Sequence, residues 1–248
     1  MRTNPPKPCG IIETAVLALL IGFISGIPLV TLEVLWTGGK LLDRQAILSN
    51  GPMLSLAQLL STVVMVPVLA WVARSRGWQA ADYLGWIVPK RRDAAVALAV
   101  TLGVYVALVL AFDALDYLRN RSDLGSSFTI NAYRSAREAG GLVTMWIAFV
   151  VAAPLQEELL FRGFLYRGWA RSPRAAVPAV AVISALWAIA HLQYDWLLIL
   201  YVFLYSLMLG WARWYSGSTV LTFAIHALTN ASALVLTTWK LSSAHLIG

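Results

Sequence analysis

Long apolar runs broken by short polar clusters set the rhythm of this chain. Seven runs stand out, at 12–36, 52–73, 93–114, 140–170, 175–192, 196–214 and 218–239. Each is near or above the roughly 20 residues a helix needs to cross a bilayer. The runs are continuous rather than alternating, which argues against a membrane β-barrel. The strongest interruptions are "RSRGWQAADYLGWIVPKRRD" and "DYLRNRSDLGSSFTINAYRSAREAGG". The second is too long and too polar for a simple turn, and it predicts a short amphipathic helix on the surface.

Composition agrees with this pattern. The 248 residues are 59% hydrophobic and 12% charged, with a mean hydropathy of +0.71. An ordinary soluble domain carries about twice that share of charge. The reading is an all-α, polytopic transmembrane bundle of about seven spans. The formal charge of +7 does not point to nucleic acid, because no basic-aromatic groove pattern accompanies it. The basic residues cluster in short loops, as at Arg74 and Arg76, Lys90 to Arg92, and Arg171 and Arg174. Their distribution predicts a cytoplasmic N-terminus. Cys9 is the single cysteine, so no intramolecular disulfide is expected.

Within the runs, ionisable residues are costly and call for a partner, a cavity or a function. The fourth run holds Glu157, Glu158 and Arg162, the fifth holds His191, and the seventh holds His226 and Asn230. Glu158 and Arg162 are four apart, share a helix face and can pair. Glu157 is turned by about 100° from Glu158 and cannot comfortably share that arginine. Pro154 removes a backbone hydrogen bond just upstream and predicts a kink that opens space beside Glu157. If the chain turns at Ser172–Pro173, Glu157 and His191 lie about 24 Å and 27 Å from the turn, at similar depth.

Trp187 and His191 are four apart, so the indole either walls a pocket around the histidine or is an ordinary core or lipid-facing aromatic. His226 and Asn230 are also four apart. They act either as hydrogen-bonded glue between helices or as two donors aimed at one oxygen. Together, a carboxylate, a histidine and a donor pair can assemble a hydrolytic site. A base takes a proton from water, and donors stabilise the oxyanion that follows. Ser184 and Ser206 have no matching partner motif for a serine nucleophile. His245, in the terminal tail, is expected to do nothing specific.

These residues resemble the CAAX-protease and bacteriocin-processing family of intramembrane endopeptidases, also called the abortive-infection family. "EELLFR" corresponds to its E-E-x-x-x-R, with Gly163 following. "WAIAH" corresponds to its F-x-x-x-H, with Trp187 in place of phenylalanine. "HALTN" corresponds to its H-x-x-x-N, and "DYLGWIVPKRRD" is similar to the loop before its core. The resemblance covers residues 140–238 well and divides the chain into a variable part, 1–139, and a catalytic four-helix core, 140–248. It implies a type II CAAX prenyl protease-like activity, and it allows an eighth helix. It also implies that Glu157 and His191 activate water, that His226 and Asn230 hold the oxyanion, and that Glu158 and Arg162 form a structural pair.

No cofactor is favoured. A divalent metal such as zinc is the alternative, with Glu157, His191 and His226 as its ligands, although the H-E-x-x-H pattern is absent. The expected partners are the lipid bilayer and a membrane-associated protein or peptide, lipidated or not, with no nucleic acid. Two rival readings stand beside this one. One is a proton-coupled transporter, which should show two related halves with broken helices. The other is a non-catalytic immunity or partner protein of the same fold.

Overall fold

The computed structural model describes residues 8–38, 44–118 and 127–244. His245 lies outside them. Among the described residues every regular element is a helix. The order is α1 (Ile11–Thr37), α2 (Arg44–Ser49), α3 (Gly51–Ser75), α4 (Ala80–Leu84), α5 (Arg91–Leu118), α6 (Ser127–Glu138), α7 (Leu142–Trp169), α8 (Pro173–Ile189), α9 (Trp196–Ser216) and α10 (Thr219–Ala244).

Six helices, α1, α3, α5, α7, α9 and α10, are long and apolar enough to cross a membrane. The chain is a multi-pass integral membrane protein. The predicted fifth span is α8, an apolar helix of 17 residues. At 1.5 Å per residue it reaches only about 26 Å. The amphipathic helix expected in the long polar break is α6. The small helices α2 and α4, by contrast, have no counterpart in the hydropathy pattern.

Local chemistry sets the helix ends. Asn50 Oδ1 accepts from the Met53 amide at the start of α3, and Ser172 Oγ accepts from Ala175 at the start of α8, with Pro173 in the first turn. Asp195 Oδ1 accepts from Leu197 and Leu198 to open α9. Each cap satisfies amides that the helix cannot pair by itself. Gly217, at φ 70°, closes α9 in the left-handed conformation.

The central element is α7, which touches α1, α3, α4, α6, α8 and α10. It is continuous but not uniform. Two π-helical segments, Ile147–Ala152 and Leu159–Leu165, flank the α-helical Ala153–Glu158. Such wide turns are rare, and they occur frequently at functional sites.

The loop after α4 clamps this helix. A Cβ on Gly163 would stand 2.9 Å from the Leu84 carbonyl oxygen, so only glycine permits the approach. The same loop accepts from the start of α10. The Thr219 hydroxyl donates to Leu84 O at 2.7 Å, and the Thr219 amide donates to Gly85 O at 2.8 Å. The segment "DYLGWIVPKRRD" therefore fixes α7 against α10, the two helices that carry most of the site.

Candidate active site

The adjacent glutamates of α7 face different surroundings. Glu158 is fully buried, and so is Arg162. Arg162 Nη1 donates to Glu158 Oε1 at 3.0 Å. Its Nη2 donates to the Ser206 carbonyl at 3.1 Å and to Ser206 Oγ at 2.7 Å. Ser206 thus binds the arginine from α9, a role that no sequence motif announced. Glu158 Oε1 also accepts from Nδ1 of His226 at 3.0 Å. A charged group this deep depends on its partners, because desolvation would otherwise expel it.

Glu157 is half-buried and faces a cavity of about 640 Å³. His191, His226, Asn230 and Trp187 line the same cavity. The Trp187 indole N–H donates to Glu157 Oε2 at 2.6 Å. Trp187 is itself buried and is held on several sides. His191 and His226 meet its ring edge-on at 4.7 Å and 5.4 Å between centroids. The Arg162 guanidinium lies 5.0 Å from the ring centroid.

His191 is not inside a helix, as the hydropathy run suggested. It lies two residues beyond the last helical residue of α8, in the turn that leads to α9. The physical reason is the chain's next cap: Asp195 starts α9, so the backbone must reverse between Ala190 and Asp195. His191 Nδ1 lies 2.7 Å from the Trp187 carbonyl. A carbonyl only accepts, so this contact assigns the proton to Nδ1 and leaves Nε2 bare in the neutral ring. A carboxylate orders His226 in the same sense, with Nδ1 toward Glu158 and Nε2 without a protein partner among the described residues.

Asn230 lies one turn beyond His226 on α10. Its Nδ2 donates to the Phe149 carbonyl at 2.8 Å, inside the first π segment of α7. Asn230 therefore lines the cavity and also ties α10 to α7. One amide proton remains uncommitted.

Two tyrosines belong to the site and carry no motif. Tyr194 stacks on His191 with centroids 5.8 Å apart. Burial first, and then the charge of Glu157, pushes its phenol up to about 12, so it remains a donor at neutral pH. Its position three residues after His191 is the one sequence signal that could have found it. Tyr205 donates to or accepts from Thr229 Oγ1 at 2.5 Å, and its ring meets His226 at 5.8 Å. Inside an apolar run, Tyr205 gave no signal at all.

Among the described residues, no three His, Cys, Asp or Glu side chains converge as a metal shell requires. The ligand set named from sequence, Glu157, His191 and His226, shares a cavity without forming such a cluster. The arrangement offers one half-buried carboxylate, two ordered imidazoles and a side-chain amide around one cavity.

Residues 139–232 match the family model described as Rce1-like, type II CAAX prenyl endopeptidase. The match spans Glu157, Glu158, Arg162, Trp187, His191, His226 and Asn230. No curated protein and no solved structure matches the chain.

Proposed function

We propose that this protein is an intramembrane endopeptidase that hydrolyses a peptide bond in a membrane-associated protein or lipidated peptide, using water activated by Glu157 and His191. The observation that carries this reading is that Glu157, His191, His226 and Asn230 line one cavity while Glu158 and Arg162 are turned out of it. The family match supports CAAX-type proteolysis as the reaction class.

The steps follow from the groups present. Water enters between Glu157 and His191. Glu157 takes one proton, and the bare Nε2 of His191 accepts a hydrogen bond and aims the oxygen. The water oxygen bonds to the scissile carbonyl carbon, and the carbonyl oxygen becomes an oxyanion. Asn230 offers its remaining amide proton to that oxygen. His226 donates from Nε2 when its ring carries both protons, with Glu158 holding Nδ1 and balancing the charge. The tetrahedral species collapses as the C–N bond breaks. Glu157 returns its proton to the leaving amine. No step passes through a metal ion.

The cavity wall supports a mostly apolar substrate segment. Tyr105, Val109, Phe112, Tyr201 and Val202 line it with hydrocarbon and aromatic surface. The test uses purified protein in detergent and fluorogenic peptides ending in a prenylated or unprenylated cysteine motif. Wild type should cleave and Glu157→Gln should not. Equal cleavage by both would remove Glu157 as the base.

A further inference from the structure

We infer that Trp187 is the positioning residue of this site, fixing the carboxylate with its side chain and the histidine with its backbone. The inference rests on the reading of Glu157 and His191 as the water-activating pair, and it adds how they are held in register.

The two contacts come from opposite ends of one residue. The indole N–H reaches Glu157 Oε2 at 2.6 Å, and the carbonyl oxygen faces His191 Nδ1 at 2.7 Å. The first contact occupies Oε2 and leaves Oε1 without a protein hydrogen bond among the described residues. Oε1 is thereby the oxygen available to water. An indole N–H only donates, so Trp187 cannot take the proton itself and acts through Glu157. The second contact places the His191 proton on Nδ1 and turns the bare Nε2 away from α8. A single side-chain rotation of Trp187 would break the first contact, and the packing opposes that rotation. The ring is buried, Arg162 lies over it, and His226 and Tyr205 flank it.

The position is informative because phenylalanine stands there in the motif this chain resembles. Phenylalanine at this position would keep the aromatic wall but offer no donor to the carboxylate. The departure at Trp187 is a gain of one hydrogen bond on the base.

The test separates the donor from the ring. Replacement of Trp187 by 3-benzothienylalanine keeps the bicyclic shape and puts sulfur where the N–H was. Trp187→Phe is the second variant, and the probe is a fluorogenic prenylated peptide in detergent. Both variants should lose about 10- to 100-fold in kcat, the cost of a misplaced base, with KM unchanged. The isosteric benzothienylalanine protein should also keep its thermal midpoint, whereas Trp187→Phe leaves a void in the packed site and melts lower. NMR of the indole N–H protons provides a reading independent of activity. The resonance missing in Trp187→Phe should move in Glu157→Ala. Wild-type kcat in the benzothienylalanine protein, a kcat loss in that protein matched by a fall in its own melting temperature, or an indole resonance indifferent to Glu157→Ala would each overturn the inference. Glu157→Gln is assayed alongside. If it cleaves normally, the reading of the base falls; if it is dead while the benzothienylalanine protein cleaves normally, only the role of Trp187 falls.

Discussion

His226 Nδ1 lies 3.0 Å from Glu158 Oε1, the same oxygen that Arg162 Nη1 reaches at 3.0 Å. Glu158 is therefore more than the counter-ion of an arginine on its own helix. It transmits the fixed position of Arg162 and Ser206 to an imidazole that faces the cavity. The two glutamates have different surroundings: Glu158 is buried and held through Oε1 by Arg162 and His226, while Glu157 is open to the cavity.

That division predicts separable effects of mutation. Arg162→Ala leaves Glu158 buried with His226 as its remaining partner, and should destabilise the protein by about 3–5 kcal/mol. Glu157→Gln keeps an acceptor for Trp187 and should melt like wild type while losing activity. Thermal denaturation in detergent with parallel cleavage assays checks both. Similar melting of the two variants would argue against the division.

Asn230 serves the site from two sides. In the proposed mechanism Asn230→Ala removes an oxyanion donor, and it should lower kcat by about 10²–10³-fold. It also frees the Phe149 carbonyl and should cost about 1 kcal/mol of stability. His226→Ala should lower kcat as well, and it leaves Glu158 paired with Arg162. Kinetics at saturating substrate distinguish these effects from binding. Normal turnover by Asn230→Ala would return this residue to a purely structural role.

The glycines of α1 and α7 make opposite predictions. A Cβ at Gly163 meets the Leu84 carbonyl at 2.9 Å, and backbone cannot yield as a side chain does. Gly163→Ala should cost about 1–3 kcal/mol, as overpacking does, and should loosen the clamp between α7 and α10. A Cβ at Gly22 or Gly26 meets nothing within 4 Å, so Gly22→Ala and Gly26→Ala should not lower the melting temperature and, inside a helix, should raise it slightly. Comparing the three melting curves decides whether the clamp is tight.

Much of this was legible in the sequence, and the misses share a cause. Hydropathy finds helices by their apolar length, so it found the long spans and α8. It could not see that α8 stops at Ile189, because Ala190 and Leu192 are as apolar as the helix before them. The stop comes from the Asp195 cap downstream. The i,i+4 spacing of Glu158 and Arg162 signalled a pair, but His226, on α10, joins through tertiary packing that no local period encodes. The two π segments of α7 were equally invisible, since a widened turn leaves no composition mark. Trp187 was noticed as an aromatic beside His191. That its N–H meets Glu157 depends on how α8 rotates against α7.

The last prediction concerns metal. A catalytic zinc site takes three protein ligands and an open position for water. In this site each histidine already commits Nδ1, one to a backbone carbonyl and one to Glu158, leaving two Nε2 atoms and the free oxygen of Glu157 as donors. Such second contacts are also what metal-bound histidines make, so the tautomers alone decide nothing. The indole N–H on Glu157 Oε2 argues against a ligand role for that oxygen, since a donor proton and a cation compete for the same lone pairs. The three groups also do not converge into a shell among the described residues. The expected outcome is that purified enzyme keeps its activity after prolonged treatment with a strong zinc chelator, and that elemental analysis finds no stoichiometric metal. If chelation abolishes cleavage and added zinc restores it, the metal-free mechanism is wrong. Glu157, His191 and His226 would then be the ligands to replace, and Glu157→Gln should lose bound zinc along with activity.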